Sequence, residues 1–209
     1  AGYLKRYDGG AYASAAVDGT KEKGTDIHSL NRDALGISSR DIAKTFFYAF
    51  IYGAGDSKLG SILGGGVKVG RKARNSLLSG VSGLMELTNK VKQTYRRRGH
   101  LVGMDGRKLY IRSEHSALNT LLQSAGAVIM KRALVILDKT LLHEGFKEGT
   151  DYEFVANIHD EFQIEVYKKY ATKIAEHATD SVRRAGVYYE FGCPLSATSH
   201  IGKAWSETH

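Results

Sequence analysis

Two periodicities organise this chain. From Arg40 to Gly53 the apolar residues follow a helical repeat. At about 100° per residue, Ile42, Phe46, Ala49 and Phe50 share one side, which is predicted to be buried. Arg40, Lys44 and Tyr48 fall on the other side, each about 6 Å further along the axis, with Tyr52 at the margin. Ser38 and Asp41 make a capping-box-like start that puts Arg40 in the first turn, and the Gly53 to Gly55 segment ends the run. Leu77, Leu78, Val81, Leu84, Leu87, Val91 and Tyr95 repeat at helical spacing and predict one helix, closed by Arg96, Arg97 and Arg98. A longer helix opens at Ser113 and reaches about His143 through Ala117, Leu118, Leu121, Leu122, Ala125, Val128 and Ile129; Gly145 ends it.

The second period is two. Phe162, Ile164 and Val166 alternate with Gln163 and Glu165, as in a strand with one buried face. A partner run from Glu153 to Ile158 precedes it, so a hairpin is predicted with His159 and Asp160 at its tip. A smaller hairpin is predicted where Leu101 to Val102 and Lys108 to Arg112 flank the Asp105-Gly106 turn. Ala1 to Asp8 reads as the inside of a helix, residues 9 to 26 as a glycine-bearing loop, and Asp26 as the start of a helical stretch. Gly60, Gly64 to Gly66 and Gly70 mark a flexible passage. Residues 168 to 185 read as helix and Val187 to Phe191 as a strand. The fold class is therefore α/β, with helices dominating the first hundred residues and strands mixed with helices in the second.

Composition changes this picture only in part. Thirty Lys and Arg against 22 Asp and Glu give a formal charge of +8, which favours a polyanionic partner. The single Cys193 cannot form an internal disulfide and fits a reducing compartment. No apolar run is read as reaching membrane-spanning length and the first residues are not a signal peptide, so the expected location is cytoplasmic, with no membrane partner.

The candidate chemistry lies on the two periodic motifs. Two fixed cations followed by an aromatic ring suit a phosphate chain leading into a sugar and base. Asp160 is either a metal-binding carboxylate or an Asp that merely suits a hairpin turn. Gly65 to Gly70 is followed by Arg71 and Lys72, which does not make a Walker phosphate loop. Arg96 to Arg98 either oppose a helix dipole or contact phosphate.

Taken together, these motifs resemble the family A DNA polymerases, most closely the bacteriophage type. Arg40, Lys44, Tyr48 and Tyr52-Gly53, at intervals of four, resemble the family's fingers-helix motif, and His159-Asp160-Glu161 between two strands resembles its palm metal motif. Asp105-Gly106-Arg107 and the segment from Asn119 through Gln123 to Gly126 match its linking segments in type and order. The resemblance implies transfer of a deoxynucleoside monophosphate from a deoxynucleoside triphosphate to a primer 3′-hydroxyl, with two Mg2+ ions. It implies that His28, Arg40 and Lys44 grip the triphosphate, with Lys44 also the candidate acid for the leaving pyrophosphate. Tyr48 would pack on the incoming sugar and base, its hydroxyl implying tolerance of dideoxynucleotides, and Tyr52 would border the nascent pair. Asp160 would bind metal, Glu161 would support it, and His159 would sit near the primer terminus. Arg107, Asn119 and Gln123 would contact primer-template DNA, the two amides facing the minor groove. Residues 1–19 would be the end of a palm-to-fingers connection, 20–104 the fingers, and 105–209 the C-terminal part of a palm with an antiparallel sheet.

The family's first palm motif, Asp-x-Ser-x-x-Glu-x-Arg, is absent, and Asp8, Asp18 and Asp26 are poor substitutes for its carboxylate. The chain is thus expected to be the C-terminal part of a polymerase, either a split subunit completed by an N-terminal chain with the thumb and first palm motif, or a fragment, and inactive alone. Two other functions are consistent with the charge and motifs: a non-catalytic nucleic-acid-binding module and a single-subunit RNA polymerase fragment. The acidic tip at Asp160 and Glu161 disfavours the first, and Glu161 with Arg40 disfavours the second.

Overall fold

The computed structural model describes residues 1–208. The chain forms two compact units, Ala1–Leu122 and a second from Gln123 onward. In the first unit the helices are α1 (Lys5–Asp8), α2 (Ala11–Val17), α3 (Ile27–Leu35), α4 (Arg40–Ile51), α5 (Asp56–Ile62), α6 (Val67–Gly80) and α7 (Leu84–Arg98). The hairpin of β1 (His100–Val102) and β2 (Lys108–Tyr110) follows, pairing Leu101 with Leu109. Helix α8 (Ala117–His143) begins in the first unit and continues into the second, after a single 3-10 turn at Glu114–Ser116. The second unit adds the antiparallel hairpin β3 (Tyr152–Ile158) and β4 (Glu161–Val166), and then α9 (Ala171–Tyr188).

The core of the first unit is built around α4. Ala43, Phe46, Phe47 and Phe50 are buried, while Ile42 is 41% exposed, so the predicted inner side is corrected by about one position around the helix. Neighbouring elements decide this: Tyr12 of α2 packs its ring on Phe47, and Leu59, Leu77 and Leu84 fill the same cluster. The cap is Ser39, whose hydroxyl accepts from the Ile42 amide, one residue later than the predicted Ser38.

Of the glycines expected to mark a flexible passage, Gly60 and Gly70 are instead packed, while Gly64 and Gly66 face open space. A Cβ on Gly70 would stand 1.9 Å from the Asp56 carbonyl oxygen, and one on Gly60 would stand 2.1 Å from that of Gly66. Side chains are absent there so that α5 and α6 can meet backbone to backbone. The single helix predicted from Leu77 to Arg98 is broken at Val81–Gly83, where Gly83 takes φ 76° and a Cβ would stand 2.4 Å from the Tyr7 Cβ. The stretch read as loop, 9 to 26, contains α2, and Val187 and Tyr188 end α9 rather than forming a strand. There the Arg132 guanidinium of α8 lies 3.9 Å from the Tyr188 ring centroid, a tertiary contact that overrides strand propensity.

By length and composition α8 could cross a membrane, contrary to the reading that no run is long and apolar enough. Its buried residues instead serve both cores: Ala117, Leu118 and Leu121 in the first, Leu137 and Leu141 in the second, the latter with Phe146, Tyr152 and Ile174. Phe162, Ile164 and Val166 of β4 pack on that second cluster, as their alternation predicts.

Candidate functional site

In the first unit, the start of α3 and the outer face of α4 assemble one group of side chains. Asp26 caps α3, accepting from the His28 amide at 2.9 Å and the Ser29 hydroxyl at 2.7 Å. The same carboxylate receives Arg40 Nε at 3.2 Å and Nη2 at 2.8 Å from the first turn of α4. His28 and Tyr48 meet with ring centroids 5.8 Å apart. Lys44 is exposed and, among the described residues, makes no ion pair; Tyr48 is 46% exposed. Arg40, Lys44 and Tyr48 thus share the outer face of α4, as their spacing predicts, and α3 brings His28 beside them, a position that only the family resemblance had implied. Tyr52 sits just past the end of α4, largely exposed. Gly53 follows at φ 80°, its α-carbon so near the His115 carbonyl that a Cβ would stand 3.0 Å away.

The electrostatics favour an anion. Burial, then the Arg40 charge, lowers the His28 imidazole below its ordinary value near 6.5, and Lys44 adds to the effect. His28 Nδ1 is buried without a hydrogen-bond partner. A polyanion would compensate the cations and give the imidazole a reason to protonate. Arg40 holds the Asp26 carboxyl well below the usual carboxylate range, so this acid is committed to the ion pair. Asp8 is committed too, accepting from the Gly10 and Tyr12 amides, which leaves neither as a substitute metal ligand.

In the second unit, Asp160 lies at the exposed tip between β3 and β4, where His159 takes φ 52°, an uncommon conformation for a non-glycine residue. Glu161 opens β4 and accepts from Gln163 Nε2 at 2.5 Å. Both acids offer the oxygen donors that a hard cation takes, and such an ion retains several waters. Among the described residues no three His, Cys, Asp or Glu side chains gather as a metal cage. Their donor set therefore fits part of a Mg2+ coordination shell and not a complete two-ion site. A cleft of about 760 Å³ opens beside them, lined by Asp160, Glu161, Phe162, Ile164 and α9 residues such as Ile174 and Ala178.

The remaining predicted residues are more scattered. Asn119 and Gln123 stand one turn apart on α8, the Asn119 Oδ1 buried without a partner and Gln123 exposed. Arg107 folds back on Asp105 across the β1–β2 turn, Nε to Oδ2 at 2.5 Å. Sequence reasoning missed the pairing of Asp26 with Arg40. The only local signal is an acidic cap two residues before a histidine, because the partner lies 14 residues on.

A family model described as DNA polymerase family A matches residues 17–207. The chain is 36% identical over 225 aligned residues to the DNA-directed DNA polymerase of Enterobacteria phage T3 and 35% to that of Escherichia phage T7, covering 99% of this chain and 31% of each phage protein. It is 41% identical to the polymerase of Escherichia phage Phieco32 over 88% of its length, against 30% of that protein. The chain therefore spans about a third of these relatives. Among solved structures, the POL domain of Pol1 from M. smegmatis, in complex with DNA primer-template and dNTP, superposes with TM-score 0.75 at 20% identity over 93% of this chain and 35% of that one. That likeness is one of fold.

Proposed function

Because this chain belongs to DNA polymerase family A, we propose that it supplies the nucleotide-gripping fingers and part of the palm for template-directed DNA synthesis. The reaction is attack of a primer 3′-hydroxyl on the α-phosphate of a deoxynucleoside triphosphate. The observation that carries the proposal is the grouping of His28, Arg40, Lys44 and Tyr48 on α3 and α4. Arg40 and Lys44 bind the triphosphate oxygens, His28 joins them as proton donor once an anion is bound, and Tyr48 offers its ring to the sugar and base. Lys44 stands as the proton source for pyrophosphate. Asn119 and Gln123 present amides to the duplex minor groove, where hydrogen-bond acceptors occur on every correct pair. Arg107 and His159 add contacts to primer and template.

Asp160, supported by Glu161, is the residue to hold Mg2+, which when bound acidifies the attacking hydroxyl and neutralises charge on the departing phosphates. These acids do not complete a two-ion site. The second metal-binding carboxylate is assigned to polymerase sequence that this chain does not span, with the cleft beside Asp160 as the place where such a segment packs. Support for this comes from the third of its relatives' length that the chain covers.

Primer extension tests the proposal. The chain alone is expected to extend no primer. Supplied with a polypeptide carrying the remaining polymerase segments, found by co-purification from the source, it is expected to do so, and Asp160→Ala to abolish the reaction while DNA binding persists. Extension that survives Asp160→Ala would refute it.

A further inference from the structure

The Asp26–Arg40 pair carries an inference that rests on the nucleotide-site reading and deepens it. An ionised carboxylate has room for about four donors, and Asp26 receives four: the His28 amide, the Ser29 hydroxyl, and Nε and Nη2 of Arg40. Its side chain is 12% exposed and that of Arg40 is 24% exposed, so the pair is shielded rather than a loose surface contact. Arg40 has five N–H donors in a rigid plane. Asp26 takes two of them along the Nε–Nη2 edge, leaving the Nη1–Nη2 end with three. That end is the fork that pairs with two oxygens of one phosphate. Asp41 stands near this end, 3.8 Å from Nη1, but its side chain is 89% exposed, so a phosphate can displace the contact.

We propose that Asp26 is a positioning residue of the nucleotide site: it clamps the Arg40 guanidinium side-on, so that the end-on fork is presented ready-made to a triphosphate, and it ties this fork to His28 at the start of α3. A long arginine side chain loses rotational freedom on gripping a phosphate. Here that loss is incurred in folding, so it does not weaken nucleotide binding. The clamp also couples α3 to α4, because one carboxylate holds the backbone of His28 and the side chain of Arg40 together. Asp26 touches no reacting atom and acts through Arg40.

The test is a double-mutant cycle on the 209-residue chain, reading the affinity for a fluorescent dATP analogue in Mg2+. Asp26→Asn keeps size and capping ability but loses the charge and one acceptor facing Arg40. It is expected to weaken binding about tenfold, the worth of one charged hydrogen bond. Arg40→Ala is expected to weaken it at least as much, and adding Asp26→Asn to Arg40→Ala to cost nothing further. No binding by the unaltered chain, or undiminished binding by Arg40→Ala, would overturn the nucleotide-site reading itself. Weakening by Arg40→Ala with none by Asp26→Asn, or losses that add in the double variant, would overturn only the role of Asp26. A second readout uses the unaltered chain and so survives any folding defect. On titration with dATP the NMR signal of the Arg40 Nε–H should hold its position while the terminal nitrogens shift; a moving Nε–H would mean that the nucleotide displaces Asp26, and would refute the clamp.

Discussion

In the proposed nucleotide site, the protonation of the His28 side chain depends on burial and then on its neighbours' charge. Its folded pKa lies below the unfolded value near 6.5, so the stability held by the neutral ring is complete above pH 6.5 and is lost as pH falls through that value toward the folded pKa. In the proposed nucleotide complex, a triphosphate would reverse the balance by placing negative charge beside the ring. Triphosphate binding is therefore expected to take up a proton and to strengthen as pH falls from about 7.5 to about 6, and His28→Gln should flatten that dependence. An NMR titration of the His28 ring with and without dATP checks both. Tyr48 makes a second prediction at this scale: in the complete polymerase, Tyr48→Phe should sharply reduce dideoxynucleotide use relative to deoxynucleotide, read as chain-termination frequency. Of these residues, the ladder along α4 was legible from spacing alone. The clamp from Asp26 was not, since nothing periodic links residues 14 apart.

At the scale of the element, the packing of α5 against α6 depends on what is missing from Gly60 and Gly70. Gly70→Ala must push a methyl group into the Asp56 carbonyl, and should destabilise the chain by about 1–3 kcal/mol. Gly126 offers the opposite case: it lies inside α8, and an added methyl group would meet nothing within 4 Å, so Gly126→Ala should stabilise by about 0.5–1 kcal/mol. Urea denaturation of the two variants measures the difference in sign. Composition marks both glycines alike as breakers, and only their neighbours distinguish a packing contact from an idle position. The same holds for Val81–Gly83, where apolar spacing continues through a break that Tyr7 imposes.

For the whole molecule, the excess of 8 positive charges sets the terms of the proposed DNA binding. Affinity for a primer-template duplex should fall steeply and linearly in log–log form as salt rises, with a slope of about −0.9 for each phosphate neutralised. Lys44→Ala should leave that slope nearly unchanged while weakening nucleotide binding, because Lys44 is assigned to the triphosphate and not to the duplex. Fluorescence anisotropy across a salt series separates the two. A slope reduced by a full phosphate contact would move Lys44 to the DNA.

The amino-acid order by itself determined the long α8, both hairpins, the cationic ladder and the exposed acidic tip at Asp160, because each is written in a short repeat or turn that needs no distant partner. The tertiary structure decided which side of α4 turns inward, where the α6–α7 repeat breaks, why the glycines of α5 and α6 are there, and that Asp26 belongs to Arg40. Those features depend on what another element presses against. Burial, close backbone approach and ion pairing across many residues come from packing, and a local pattern of hydrophobic and polar positions fixes the elements to be packed without fixing their contacts.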